Sequence, residues 1–144
     1  WSRGLGDVYK RQAMIPGLSA VEQRRIDYLG IFPNLLVSLH PDYVMTHRMI
    51  PLSPGQTWVE CLWAFPEEAT ALEGFDPSYA IDFWDITNRE DWGACESVQR
   101  GLSSGLAEPG PLSPAEDAIY QFVTMVARGY LGLGLSAAPA PATA

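Results

Sequence analysis

The chain has 144 residues, 47% of them hydrophobic and 18% charged, with a formal net charge of −8. That length suits one domain or part of one, and an acidic surface without a basic patch excludes nucleic acid and anionic lipid as partners. No apolar run approaches the roughly 20 residues that span a bilayer. Cys61 and Cys95 form neither a Cys-x-x-Cys pair nor a disulfide framework, so packed, reduced thiols in a cytoplasmic protein are expected.

Residues 1–12 stand outside the fold argument. Ser2 to Gln12 reads as a translated sequencing-library adapter. Its last six residues, Asp7 to Gln12, can be encoded by GAT GTG TAT AAG AGA CAG, which resembles a common transposon end. Lys10 is the only lysine, and every later cation is arginine, as in a GC-rich gene behind a foreign leader. At the other end, residues 134–144 are small residues and prolines that bury too little to offset chain entropy, so a disordered tail is expected.

Ser19 to Leu29, with Glu22, Arg24, Arg25 and Asp27, reads as a helical or irregular connection. Leu35 to His40 reads as a strand with Leu35, Val37 and Leu39 on its packed face. Pro41-Asp42 marks a turn, and Tyr43 to Ile50 alternates as a return strand. Pro51 to Gly55 is a second turn before a third strand, Gln56 to Phe65, with Val59 and Cys61 packed and Leu62 and Trp63 as further candidates. Short turns between consecutive strands predict an antiparallel meander.

The period then changes. Asp76-Pro77 offers a cap and a first-turn proline for a long helix running to about Leu102. Ile81, Trp84, Cys95, Val98 and Leu102 form its apolar stripe, with Asn88 and Asp91 in the middle. Asp82, Asp85, Arg89, Gly93, Glu96 and Arg100 form the solvated stripe, with Asp85–Arg89 and Glu96–Arg100 as pairs four apart. Gly93 predicts a kink or close packing. Ser113-Pro114-Ala115-Glu116 is a capping box for a final helix that carries Ile119, Phe122, Val123, Val126 and Tyr130 inward. Strands followed by helices predict an α+β fold, with a long helix laid across an antiparallel sheet.

A carboxylate on a buried face is costly unless paired or bound to a metal, so Asp91 needs a partner. From the residues alone, an arginine or a backbone cap is a commoner partner than a metal. His40 and His47, the only histidines, fall on opposite faces of different strands in this reading. They take structural or pocket-lining roles, with His40 the better placed to face a cavity. Asn88 reads equally as pocket polarity or as an amide tied to a nearby carbonyl. Ile81, Trp84 and Thr87 read equally as pocket lining or core.

Phe32-Pro33-Asn34-Leu35-Leu36-Val37-Ser38-Leu39-His40-Pro41-Asp42-Tyr43, the strands through Pro51, and Asn88-Arg89-Glu90-Asp91 followed by Glu96-Ser97-Val98-Gln99-Arg100-Gly101-Leu102 carry a resemblance. They resemble the C-terminal part of the catalytic domain of Rieske-type ring-hydroxylating oxygenase alpha subunits, over nearly all of residues 13–133. The resemblance implies a partial helix-grip fold. It implies a mononuclear Fe(II) held by two histidines and an aspartate, the last matched by Asp91. It further implies a 2Fe–2S cluster in a Rieske domain, NAD(P)H delivered through a ferredoxin or flavin reductase, and neighbouring alpha subunits in a trimer. The substrates implied are phenylpropionate-like aromatics or quaternary amines such as choline and carnitine. The two histidine ligands, the cluster ligands and an acidic bridge residue lie upstream in the family pattern, so this segment alone is expected to be inactive. The competing expectation is a non-enzymatic helix-grip carrier of small ligands.

Overall fold

The computed structural model describes residues 13–108 and 110–134. They fall into two compact units divided between Ala107 and Glu108. The first contains a four-stranded antiparallel meander in the order β1 (Asp27–Ile31), β2 (Leu35–Leu39), β3 (Val44–Ser53) and β4 (Gln56–Ala64). A short helix, α1 (Glu67–Thr70), and a long one, α2 (Ser78–Ser103), follow. The α+β order agrees with expectation. No helix of the described residues is long and apolar enough to cross a membrane.

The segment read as a helical or irregular connection is corrected. Glu22–Arg24 forms a single 3-10 turn, and Asp27–Ile31 is a strand. Asp27 pairs with Leu39 and Ile31 with Leu35, so the edge of β2 supplies hydrogen bonds that local sequence could not reveal.

Pairing also decides which face is buried. Leu36 lies opposite His47 and Ser38 opposite Met45, while the His40 amide donates to the Tyr43 carbonyl at 3.0 Å. Directly opposed residues share a face. Ser38 and His40 therefore join Tyr43, Met45 and His47 on one side, and β4 adds Cys61 and Trp63 through the pairs His47–Cys61 and Met45–Trp63. This corrects two expectations. Leu35, Val37 and Leu39 lie on the opposite face and stay half-buried, and His40 and His47 lie on the same face. Trp63 packs on the core while Leu62 is exposed.

The first turns of α2 lie on that face. Asp76 Oδ1 accepts the Ser78 amide at 2.9 Å, but the helix begins one residue later than expected, with Pro77 at the cap and not in the first turn. Tyr43, Met45, Ala80 and Trp84 form the core, with Cys61, Trp63, Phe65 and Tyr79 packed around it. Met45 is completely buried. The helix continues unbroken through Gly93, where a Cβ would meet nothing, so the close packing offered as one reading of that glycine is absent among the described residues. It ends at Ser103, and Gly105 turns the chain with a left-handed φ of +72°.

Only the first half of the stripe is buried: Ala80, Trp84 and Asn88. Cys95, Val98, Leu102 and Asp91 are exposed, as is every residue from Arg89 to Ser103. The expected buried stripe thus stops at Asn88, which meets His47 of β3 and Cys61 of β4. The Asp85–Arg89 pair forms at 2.8 Å. No ion pair joins Glu96 to Arg100 among the described residues.

The second unit holds a 3-10 turn at Pro114–Glu116 and α3 (Asp117–Tyr130). The capping box forms, with the Ser113 amide donating to Glu116 Oε2 at 2.7 Å. The inward face expected for this helix is corrected: Ile119, Phe122, Val123 and Tyr130 are exposed, and only Val126 is half-buried. Of the two terminal expectations, residues 1–12 and 135–144 lie outside the described residues.

Candidate functional site

The site grows from a polar line inside the sheet–helix interface. Trp84 sits at its centre, and its Nε1–H donates to the Tyr43 hydroxyl at 3.0 Å. His40 stacks on Tyr43 at 4.2 Å and meets the Trp84 indole edge-on at 5.9 Å. His47 meets the same indole at 5.5 Å. Both histidines therefore bracket one tryptophan. The Tyr79 hydroxyl donates to Asp42 Oδ2 at 3.0 Å, closing the line at the hairpin end.

One turn after Trp84, Asn88 is 4% exposed. Its Oδ1 accepts from His47 Nε2–H at 2.9 Å, and its Nδ2 donates to Cys61 Sγ at 3.6 Å. An amide oxygen only accepts, so the His47 proton resides on Nε2. The expected carbonyl partner is replaced by these two side chains on adjacent strands. Burial pushes the Cys61 thiol above its ordinary value, which makes it a poor nucleophile. Burial also holds His40 below the usual imidazole value, against the opposing pull of the nearby Asp42 carboxylate. His40 Nε2 is buried without a hydrogen-bond partner among the described residues.

Of the residues singled out in the sequence, the structure brings together His40, Trp84 and Asn88. Ile81 and Thr87 are half-buried beside them. Asp91 is exposed and makes no ion pair among the described residues, so the premise of an inward-turned carboxylate is overturned. Sequence reasoning missed the partnership of His47 and Cys61 with Asn88. The signal was present: His47 shares the alternation of Tyr43 and Met45, both of which lie in the core.

The chemistry of the donor set can be weighed against an iron ion. Among the described residues no three His, Cys, Asp or Glu side chains converge. Asp91 has the right chemistry for one donor: a hard oxygen ligand, accessible and unneutralised. It is a single donor, and the described residues complete no metal site around it. The His47–Asn88–Cys61 group is committed to its own hydrogen bonds.

A family model described as ring hydroxylating alpha subunit (catalytic domain) matches residues 4–132. The chain is 33% identical over 81 residues to a glycine betaine monooxygenase oxygenase subunit of Chromohalobacter salexigens, covering 56% of this chain and 18% of that protein. It is 31% identical over 72 residues to the protein of the same description in Pseudomonas aeruginosa, covering 50% of this chain and 17% of that one. The match thus spans less than a fifth of the length of these relatives. No solved structure matches the chain.

Proposed function

The chain belongs to the family of ring-hydroxylating alpha subunits, within their catalytic domain, and from that premise we propose that it is part of the oxygenase subunit of a Rieske non-haem iron monooxygenase. The observation that carries this reading is the family match along residues 4–132, supported by two relatives described as oxygenase subunits. Their description favours a quaternary ammonium compound such as glycine betaine over an aromatic acid as substrate. The carrier alternative called for neither Asn88 nor Asp91 on the inner face of the helix; Asn88 lies there and Asp91 does not.

Asp91 would hold a mononuclear Fe(II) through its carboxylate, together with two histidines from outside this segment. It acts as a ligand, not as an acid or base, and its negative charge partly balances the metal. The bound iron supplies oxygen activation. The chain's own part is structural: the sheet and the buried half of α2 hold the helix, and the helix carries the carboxylate out to where the other donors meet it. A 2Fe–2S cluster, an NAD(P)H-dependent reductase and neighbouring alpha subunits complete the proposed assembly, and the segment by itself has no turnover.

The test is metal analysis of the oxygenase subunit that carries this segment, as wild type and as Asp91→Ala. The variant loses its mononuclear iron and its turnover while keeping the visible absorbance of the cluster. Mononuclear iron and turnover retained in Asp91→Ala take the residue out of the site.

A further inference from the structure

We infer that Asn88 and His47 are positioning residues for Asp91, a role that rests on the reading of Asp91 as an iron ligand. Asn88 is the last buried residue of α2, and every residue from Arg89 to Ser103 is exposed. The orientation of the projecting half is therefore set where the helix leaves the sheet. Of the other buried residues, Ala80 makes only apolar contacts, and Trp84 adds a single hydrogen bond, from its indole Nε1–H to the Tyr43 hydroxyl at 3.0 Å. Asn88 is different, because both ends of its amide are directed.

Its Oδ1 takes the His47 Nε2–H at 2.9 Å and its Nδ2 reaches Cys61 Sγ at 3.6 Å. His47 and Cys61 are a directly opposed pair on β3 and β4. The amide thus bridges two strands, and a bridge between two fixed points fixes rotation as well as height. His47 also meets the Trp84 indole edge-on at 5.5 Å, a second contact between β3 and α2 beside the amide bridge. Asp91 comes three residues later, about 4.5 Å along the axis and about 60° round it from Asn88. A leucine in place of Asn88 would pack as well and cost no desolvation. What the amide adds is direction, passed on to the turn of helix that carries Asp91.

The experiment uses the iron-free oxygenase subunit that carries this segment. Asn88→Leu removes both hydrogen bonds at similar volume. His47→Phe keeps a ring against Trp84 but removes the donor. His47→Gln keeps a side-chain N–H. Titration with Fe(II) gives an affinity for each folded variant, and hydrogen exchange reads the amides of residues 89–93. Asn88→Leu and His47→Phe are expected to bind Fe(II) about tenfold or more weakly. They are also expected to exchange those amides about tenfold faster. His47→Gln stays close to wild type in both readouts. If Asn88→Leu does not fold, His47→Phe carries the comparison. Wild-type Fe(II) affinity in folded Asn88→Leu and His47→Phe overturns the positioning role while Asp91→Ala still loses iron. Iron retained by Asp91→Ala removes the ligand assignment and this inference together.

Discussion

Isolating this chain from any further sequence is the sharpest physical test of its structure. Phe83, Ile86, Trp92, Val98 and Leu102 of α2 are between 39 and 61% exposed. Burying such a side chain completely contributes about 1.5–3 kcal/mol. Covering the exposed half of each contributes about half of that, so the five together forgo about 4–7 kcal/mol. A whole domain is stable by only about 5–15 kcal/mol. The long edge of β4 adds unpaired backbone groups beside the exposed Trp58 and Leu62. The chain on its own is therefore expected to self-associate at micromolar concentration and to bind a hydrophobic dye. Size-exclusion chromatography with light scattering, followed by urea unfolding, reads this directly. A soluble monomer of residues 13–144 with one cooperative unfolding transition would refute the reasoning, because it would mean that the small core around Met45 and Trp84 suffices.

Three further outcomes follow from particular groups. Burial depresses the His40 imidazole, so the folded state prefers it neutral. Its contribution is present above the unfolded value of about 6.5 and is lost as the pH falls through the lower folded one. In dilute solution the wild-type unfolding midpoint should drop between pH 7.5 and 5.5 by more than that of His40→Phe, and equal drops would remove His40 as the cause. Cys95 is exposed while Cys61 is half-buried with a raised thiol value, so iodoacetamide at pH 8 should label Cys95 at least about tenfold faster. Peptide mass spectrometry checks this, and equal rates would mean the sheet–helix seam opens freely. Gly93→Ala should stabilise the helix by about 1 kcal/mol and so raise helicity and the thermal midpoint, since the new methyl group meets nothing. A lower midpoint by circular dichroism would show that something covers that face.

The order of strands and helices, the long helix and the capping box were legible in the sequence. Each depends on contacts within a few residues: alternation from Tyr43 to Ile50, the Asp76-Pro77 start, and the Ser113–Glu116 box. Family membership was legible too, because the Asn88–Asp91 and Glu96–Leu102 segments carry it in residue types. What sequence could not supply was which face of each strand is covered. Leu35, Val37 and Leu39 alternate as cleanly as Ser38 and His40, and only the pairing with β3 and the seat of α2 selected the more polar set. That same choice put His40 and His47 on one side of the sheet and gave Asn88 its partners. The buried stripe ended at Asn88 and left Asp91 in solvent, because periodicity says which residues share a helix face but not which of them meet a neighbouring element.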